Sequence, residues 1–107
     1  MRVIGKFDFG VYSIPWILFR QIVKSISNGE IHVRIGEVEL PTTDIPVPEH
    51  LLKACKDGVA ISICVQCDKN RVFVFDILDA QEETSKDFKP QKFTVVQFRY
   101  TVKEIEE

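Results

Sequence analysis

The sequence predicts a single α+β domain over residues 1–107. About five strands form an antiparallel or mixed sheet, with one amphipathic helix packed on it and one short helix, in the order β-α-β-α-β-β-β. Three observations carry that expectation. Val and Ile together number 25 and Phe adds 8, against 5 Leu and 3 Ala. β-branched and aromatic side chains fit a pleated strand and lose rotamer freedom in a helix. A length of 107 residues is one domain's worth of chain and enough to bury a core. Apolar residues mostly alternate with polar ones, and helical spacing is sustained only over 16–27.

The elements follow in order. Residues 1–9 read as a strand, with Val3, Gly5, Phe7 and Phe9 on one face and Arg2, Ile4, Lys6 and Asp8 on the other. Residues 10–13 turn the chain, and Ser13 is the expected helix cap, with Pro15 in the first turn. Over 16–27 the helix presents Leu18, Phe19, Ile22 and Ile26 to the core, and Arg20 and Lys24 to solvent. Asn28-Gly29 ends it. Residues 30–40 read as one strand whose phase slips at Gly36, as a bulge or tight bend would produce. The Pro-rich stretch 41–48 is extended connector. Pro48 opens a short helix to Lys56 with Leu51, Leu52 and Cys55 inward, and Gly58 terminates it. Residues 59–67 and 71–79 form a hairpin around Asp68-Lys69-Asn70. Residues 80–91 read as a mobile charged loop. Residues 92–105 close the domain as a long strand, and the acidic end 104–107 is expected to fray.

Charge and cysteine content bound the function. The net charge is −2 and the pI about 5.7, so no global basic field advertises nucleic acid or an anionic membrane. Cys55, Cys64 and Cys67 make an odd count, as expected of a reducing compartment, and the protein reads as cytoplasmic. Lys6 and Asp8 break the N-terminal apolar run, so no signal peptide is expected. The longest apolar run, Ile14 to Phe19, is far short of the ~20 residues that span a bilayer.

Four constellations could carry chemistry. His50, Cys55, Cys64 and Cys67 offer soft ligands in a series that zinc would accept. Residues three apart on a strand point to opposite faces, however, so Cys64 and Cys67 are not expected to share a metal, and no cofactor is expected. Catalysis has only His32 and His50 as neutral-pH bases, with Asp76 and Asp79 as candidate paired acids, and no linear nucleophile or phosphate-binding motif. A small enzyme without such a motif stays open. Nucleic-acid binding would use His32, Arg34, Arg99 and Lys103 if their strands share a face. Partner binding would use Tyr12 and Trp16 at the start of the first helix, since an exposed Trp makes a good interface anchor.

Between about 34 and 75 the chain reads Gly36-Glu-Val-Glu-Leu-Pro, then Val47-Pro-Glu-His-Leu-Leu-Lys-Ala-Cys, then Lys56-Asp-Gly and a hairpin. This punctuation resembles the AbrB type of swapped-hairpin transcription regulator. The resemblance implies strands interleaved in a dimer that binds DNA. The connector is longer here, and Thr42, Thr43, Asp44 and Glu49 replace the basic residues which that family places near its Pro.

The reading these observations favour is a small non-catalytic interaction module that self-associates as a homodimer through sheet edges and binds a protein partner. The closing strand is the expected dimer edge, because it outruns the hairpin beside it.

Overall fold

The computed structural model describes residues 2–106. They form one six-stranded antiparallel sheet with two helices. In chain order the elements are β1 (Arg2–Pro15), α1 (Trp16–Ile26), β2 (Ile31–Ile35), β3 (Val38–Thr42), α2 (Pro48–Lys56), β4 (Ile61–Asp68), β5 (Arg71–Thr84) and β6 (Lys92–Glu106). Across the sheet the strands run β1-β6-β5-β4-β2-β3, so β1 and β3 are the edges.

The α+β class and both helices are as the composition predicts. The strand count differs, and the reason is Gly36. At φ +62° it takes the left-handed conformation that glycine adopts without a Cβ penalty. The phase slip is therefore a tight turn that folds 31–42 into the β2–β3 hairpin, rather than a bend within one strand. Over 34–75 these elements pair along a single intrachain sheet, β3-β2-β4-β5, instead of interleaving as the AbrB resemblance implied.

Three further expectations change. The expected turn at 10–13 is strand. Gly10, at φ +89°, and a register shift between Asp8 and Val11 let β1 bulge and continue to Pro15. The N-cap is then Pro15, not Ser13, and it makes no side-chain cap. The segment expected as a loop over 80–91 is strand as far as Thr84, because Ala80 to Thr84 pair with Val96 to Lys92. The expected frayed end is likewise paired through Glu106, where Arg2 and Glu106 form an ion pair at 2.7 Å. Met1 and Glu107 lie outside the described residues.

The closing strand is interior rather than an edge. β6 pairs with β1 on one side and β5 on the other along nearly its whole length. The unpaired edge expected of it belongs to its neighbour β1 and, across the sheet, to β3.

Helices cover one face of this sheet. Beneath them lie Ile31 and Val33 of β2, Ile61, Ile63 and Val65 of β4, Phe75 and Ile77 of β5, and Val96 and Phe98 of β6, all buried. Phe19 and Val23 of α1 and Leu51 of α2 close the core from above, each fully buried. The stripe expected of α1 is rotated. Leu18 and Ile22 are 47% and 41% exposed, while Phe19 and Val23 take the buried line.

The rotation has a visible cause on the other flank of α1. Trp16, Arg20 and Lys24 stand one turn apart in a row and hold the connector that follows β3. The Trp16 indole N–H donates to the Pro46 carbonyl at 3.0 Å. The Arg20 guanidinium forks onto Asp44 through Nε and Nη2 at 2.8–3.0 Å, and Lys24 donates to the Thr43 carbonyl at 3.1 Å. Pinned this way, the connector drives Ile45 into the core at 5% exposure.

Candidate functional site

The uncovered part of the inner face is the most distinctive surface. β6 has 15 residues and α1 has 11. At about 3.3 Å per strand residue and 1.5 Å per helix residue, the strand runs roughly 50 Å and the helix roughly 16 Å. The helix leaves the β1 side of the β1–β6–β5 ribbon bare, and the rings it leaves there, Phe7, Phe9 and Tyr12, are 46–49% exposed.

Strand alternation places Phe7, Phe9 and Tyr12 of β1 on that inner face beside Tyr100 and Phe98 of β6 and Phe73 and Phe75 of β5. Phe9 stacks on Tyr100 with ring centres 5.1 Å apart and planes within 6°. Tyr12 sits 5.6 Å from Tyr100, and Phe73 6.4 Å from it on the other side. Phe19 meets Phe75 edge-on at 5.5 Å and so joins this layer to the core. Offset and edge-on pairs at such distances are favourable beyond the area they bury.

Between this layer and α1 runs an open groove of about 290 Å3, lined by Tyr12, Ile14, Ile22, Ile26, Phe73, Phe75, Phe98 and Tyr100. Ile22 and Ile26 form its helical wall, and exposed Leu18 extends that wall outward. Its titratable groups are the two tyrosines. Burial pushes the Tyr100 hydroxyl above its ordinary value of 10, and the neighbouring Tyr12 adds to the effect. The groove is thus apolar with hydroxyls at one place, suited to holding an apolar surface and not to moving protons near neutral pH.

The two residues expected to bind a partner end in different places. Tyr12, 47% exposed, lines the aromatic groove. Trp16 faces a second depression, of about 310 Å3, between the start of α1 and the start of α2, and its N–H is occupied by Pro46. A third and wider depression, of about 780 Å3, lies at the sheet end around Ile4, Asn70 and Ile105, and Asp68 and Arg71 there already pair with each other at 2.8 Å.

The outer face carries the candidate nucleic-acid residues. Register runs Arg34, Ser62, Asp76, Arg99 across β2, β4, β5 and β6, and His32, Cys64, Val74, Thr101 in the next row. His32, Arg34, Arg99 and Lys103 therefore share one face. They do not share one site, since three strand spacings, about 14 Å, separate the β2 pair from the β6 pair. Carboxylates stand among them. Asp76 is directly opposite Arg99, and His32 lies 3.3 Å from Glu30 and 3.8 Å from Glu39. Asp76 thus sits mid-strand, while Asp79 follows a register shift and accepts from the Ala80 N–H at 2.9 Å.

Among the described residues no three His, Cys, Asp or Glu side chains come together as a metal site, so His50, Cys55, Cys64 and Cys67 do not converge. Cys55 lies on α2 against the backbone of Ala80, and burial raises its thiol. Cys64 is mid-strand on the outer face, and burial raises it as well.

Sequence reasoning missed the groove. Its signal was present in the alternation Phe7, Phe9, then Tyr12, Ile14 with the phase reset at Gly10. That pattern marks one face of one bulged strand. Compared with known proteins, the chain matches no family model, no curated protein and no solved structure.

Proposed function

We propose that this protein is a non-catalytic interaction module that works by self-association across its β1 edge. One observation carries the reading. Val3, Ile4, Phe7, Phe9, Val11 and Tyr12, all on the edge strand β1, are each between 43% and 55% exposed. An unpaired strand edge is a template for another strand, and on its inner face the exposed rings of Phe7, Phe9 and Tyr12 add apolar surface of the kind that marks interaction sites. The chemistry of the adjoining groove supports the non-catalytic part, because its lining carries no carboxylate, imidazole or thiol.

Sedimentation equilibrium tests it. The expected result is a mass rising with concentration from 12.3 kDa toward twice that value. A mass of 12.3 kDa across a hundredfold concentration range in the micromolar region would remove the proposal.

A second reading, sequence-tolerant nucleic-acid binding, is favoured by the shared outer face of His32, Arg34, Arg99 and Lys103. The carboxylates interleaved there weaken the field such a face would need. Oligonucleotide mobility shifts that vanish steeply with added salt would favour it over self-association alone.

A further inference from the structure

We infer that two copies of the chain join β1 to β1 in an antiparallel pair centred on Phe7, extending the sheet from six strands to twelve. The inference rests on the self-association proposed above and specifies its register.

Three features of β1 select that register. The first is where regular edge is free to pair. Register shifts between Val3 and Gly5 and between Asp8 and Val11 leave two unbroken runs, Gly5 to Asp8 and Val11 to Pro15. The second ends in a proline, which has no N–H to donate, and leads directly into α1, so the first is the run open to a second strand. Bulges kink an edge and resist pairing, so a second strand seats best on the run between them. The second feature is symmetry. An antiparallel pair of identical strands is related by a two-fold axis perpendicular to the sheet, and opposed residues must lie on the same face. The axis must then pass through a residue. Lys6 and Phe7 are the two interior residues of the run.

The third feature is charge, and it chooses between them. An axis at Lys6 sets Lys6 against its own copy. An axis at Phe7 sets Lys6 opposite the second copy's Asp8, and Asp8 opposite its Lys6. Lys6 also stands directly opposite Lys103 on β6, and among the described residues neither makes an ion pair. A carboxylate arriving from a second copy offsets that like-charge neighbour. On the inner face the same register places Phe7 against Phe7 of the other copy. The two bare aromatic layers then become one continuous strip between the two α1 helices.

Cysteine cross-linking and charge reversal test the register. At the axis, opposed Cα atoms lie about 5 Å apart, within disulfide reach, whereas two copies of Lys6 lie about 8 Å apart, outside it. Phe7→Cys treated with copper–phenanthroline should give a reducible dimer on a denaturing gel. Lys6→Cys, and the unaltered chain with its Cys55, Cys64 and Cys67, should not. Lys6→Asp should raise the dimer dissociation constant about tenfold, and the exchange Lys6→Asp with Asp8→Lys should restore it. A chain that sediments as a dimer but cross-links through Lys6→Cys, or through neither variant, overturns the register and leaves self-association standing. A chain that sediments as a monomer at every concentration overturns both.

Discussion

Strands β4 and β1 carry the same kind of pattern and meet opposite fates. In β4 the alternate apolar residues Ile61, Ile63 and Val65 are 3%, 0% and 0% exposed. In β1 their counterparts Phe7, Phe9 and Tyr12 are 49%, 46% and 47% exposed. Both rows face the same side of one sheet. The difference is what lies above them. α1 and α2 cover the middle of the sheet, while β1 lies at its edge with much of its length running past the end of an 11-residue helix. The comparison teaches that alternation reports a face, not its burial. The chain itself fills this face in the middle of the sheet and leaves it bare along β1.

The largest test of this comparison sets a covered ring against an uncovered one. Phe19→Ala should cost about 3–5 kcal/mol in denaturant melts, because it empties a fully buried site between α1, Phe75 and Phe98. Phe7→Ala, measured at concentrations where the chain is a monomer, should cost less than about 1 kcal/mol. Equal costs would mean that the bare ribbon is as much core as the covered sheet.

A smaller effect is expected where α1 grips the connector. Trp16→Phe keeps most of the ring but removes the donor to the Pro46 carbonyl, and should cost about 1 kcal/mol in thermal or chemical melts. No change would show that the connector is held by Arg20 and Lys24 alone, and that the seating of α1 does not depend on the indole.

The smallest effect is on the acid side. The Arg20 guanidinium hydrogen-bonded to Asp44 holds that carboxyl below its ordinary value of 3.8. A depressed native pKa contributes stability that is present above 3.8 and is lost as the pH falls through the lower native value. Asp44→Asn should therefore flatten part of the acid-side loss and leave the neutral-to-basic side unchanged in slope. Asp68, lowered first by the Asn70 N–H and then by Arg71, should keep its own share. The pair is partly exposed, so the effect should shrink with added salt.

The outer face was more legible than the inner one. Alternation placed His32 with Arg34 and Arg99 with Lys103, and antiparallel pairing in even register brought the two sets onto one face. Pairing could not be read in advance for the acids, since Asp76 meets Arg99 only through the β5–β6 register. On the inner face, Phe7 and Phe9 were legible as one row, but Tyr12 joins them only because Gly10 bulges the strand instead of turning it. The strand was expected to end near Phe9, so its continuation past the helix, and with it the groove, stayed out of view.

By itself the sequence determined the α+β class, the two helices, the β4–β5 hairpin and the Pro48 helix start. These rest on short-range chemistry: rotamer freedom in strand and helix, the period of the apolar residues, and the fixed φ of proline. The tertiary structure decided what lies beyond a few residues' reach. It set β6 between two strands and β1 at the edge, because strand order follows pairing between segments distant in sequence. It also chose which line of α1 turns inward. Seven apolar residues in that helix gave a wide arc, and the arc's centre was settled by Trp16, Arg20 and Lys24 reaching the connector at 43–46, contacts made across 19 to 30 residues of chain.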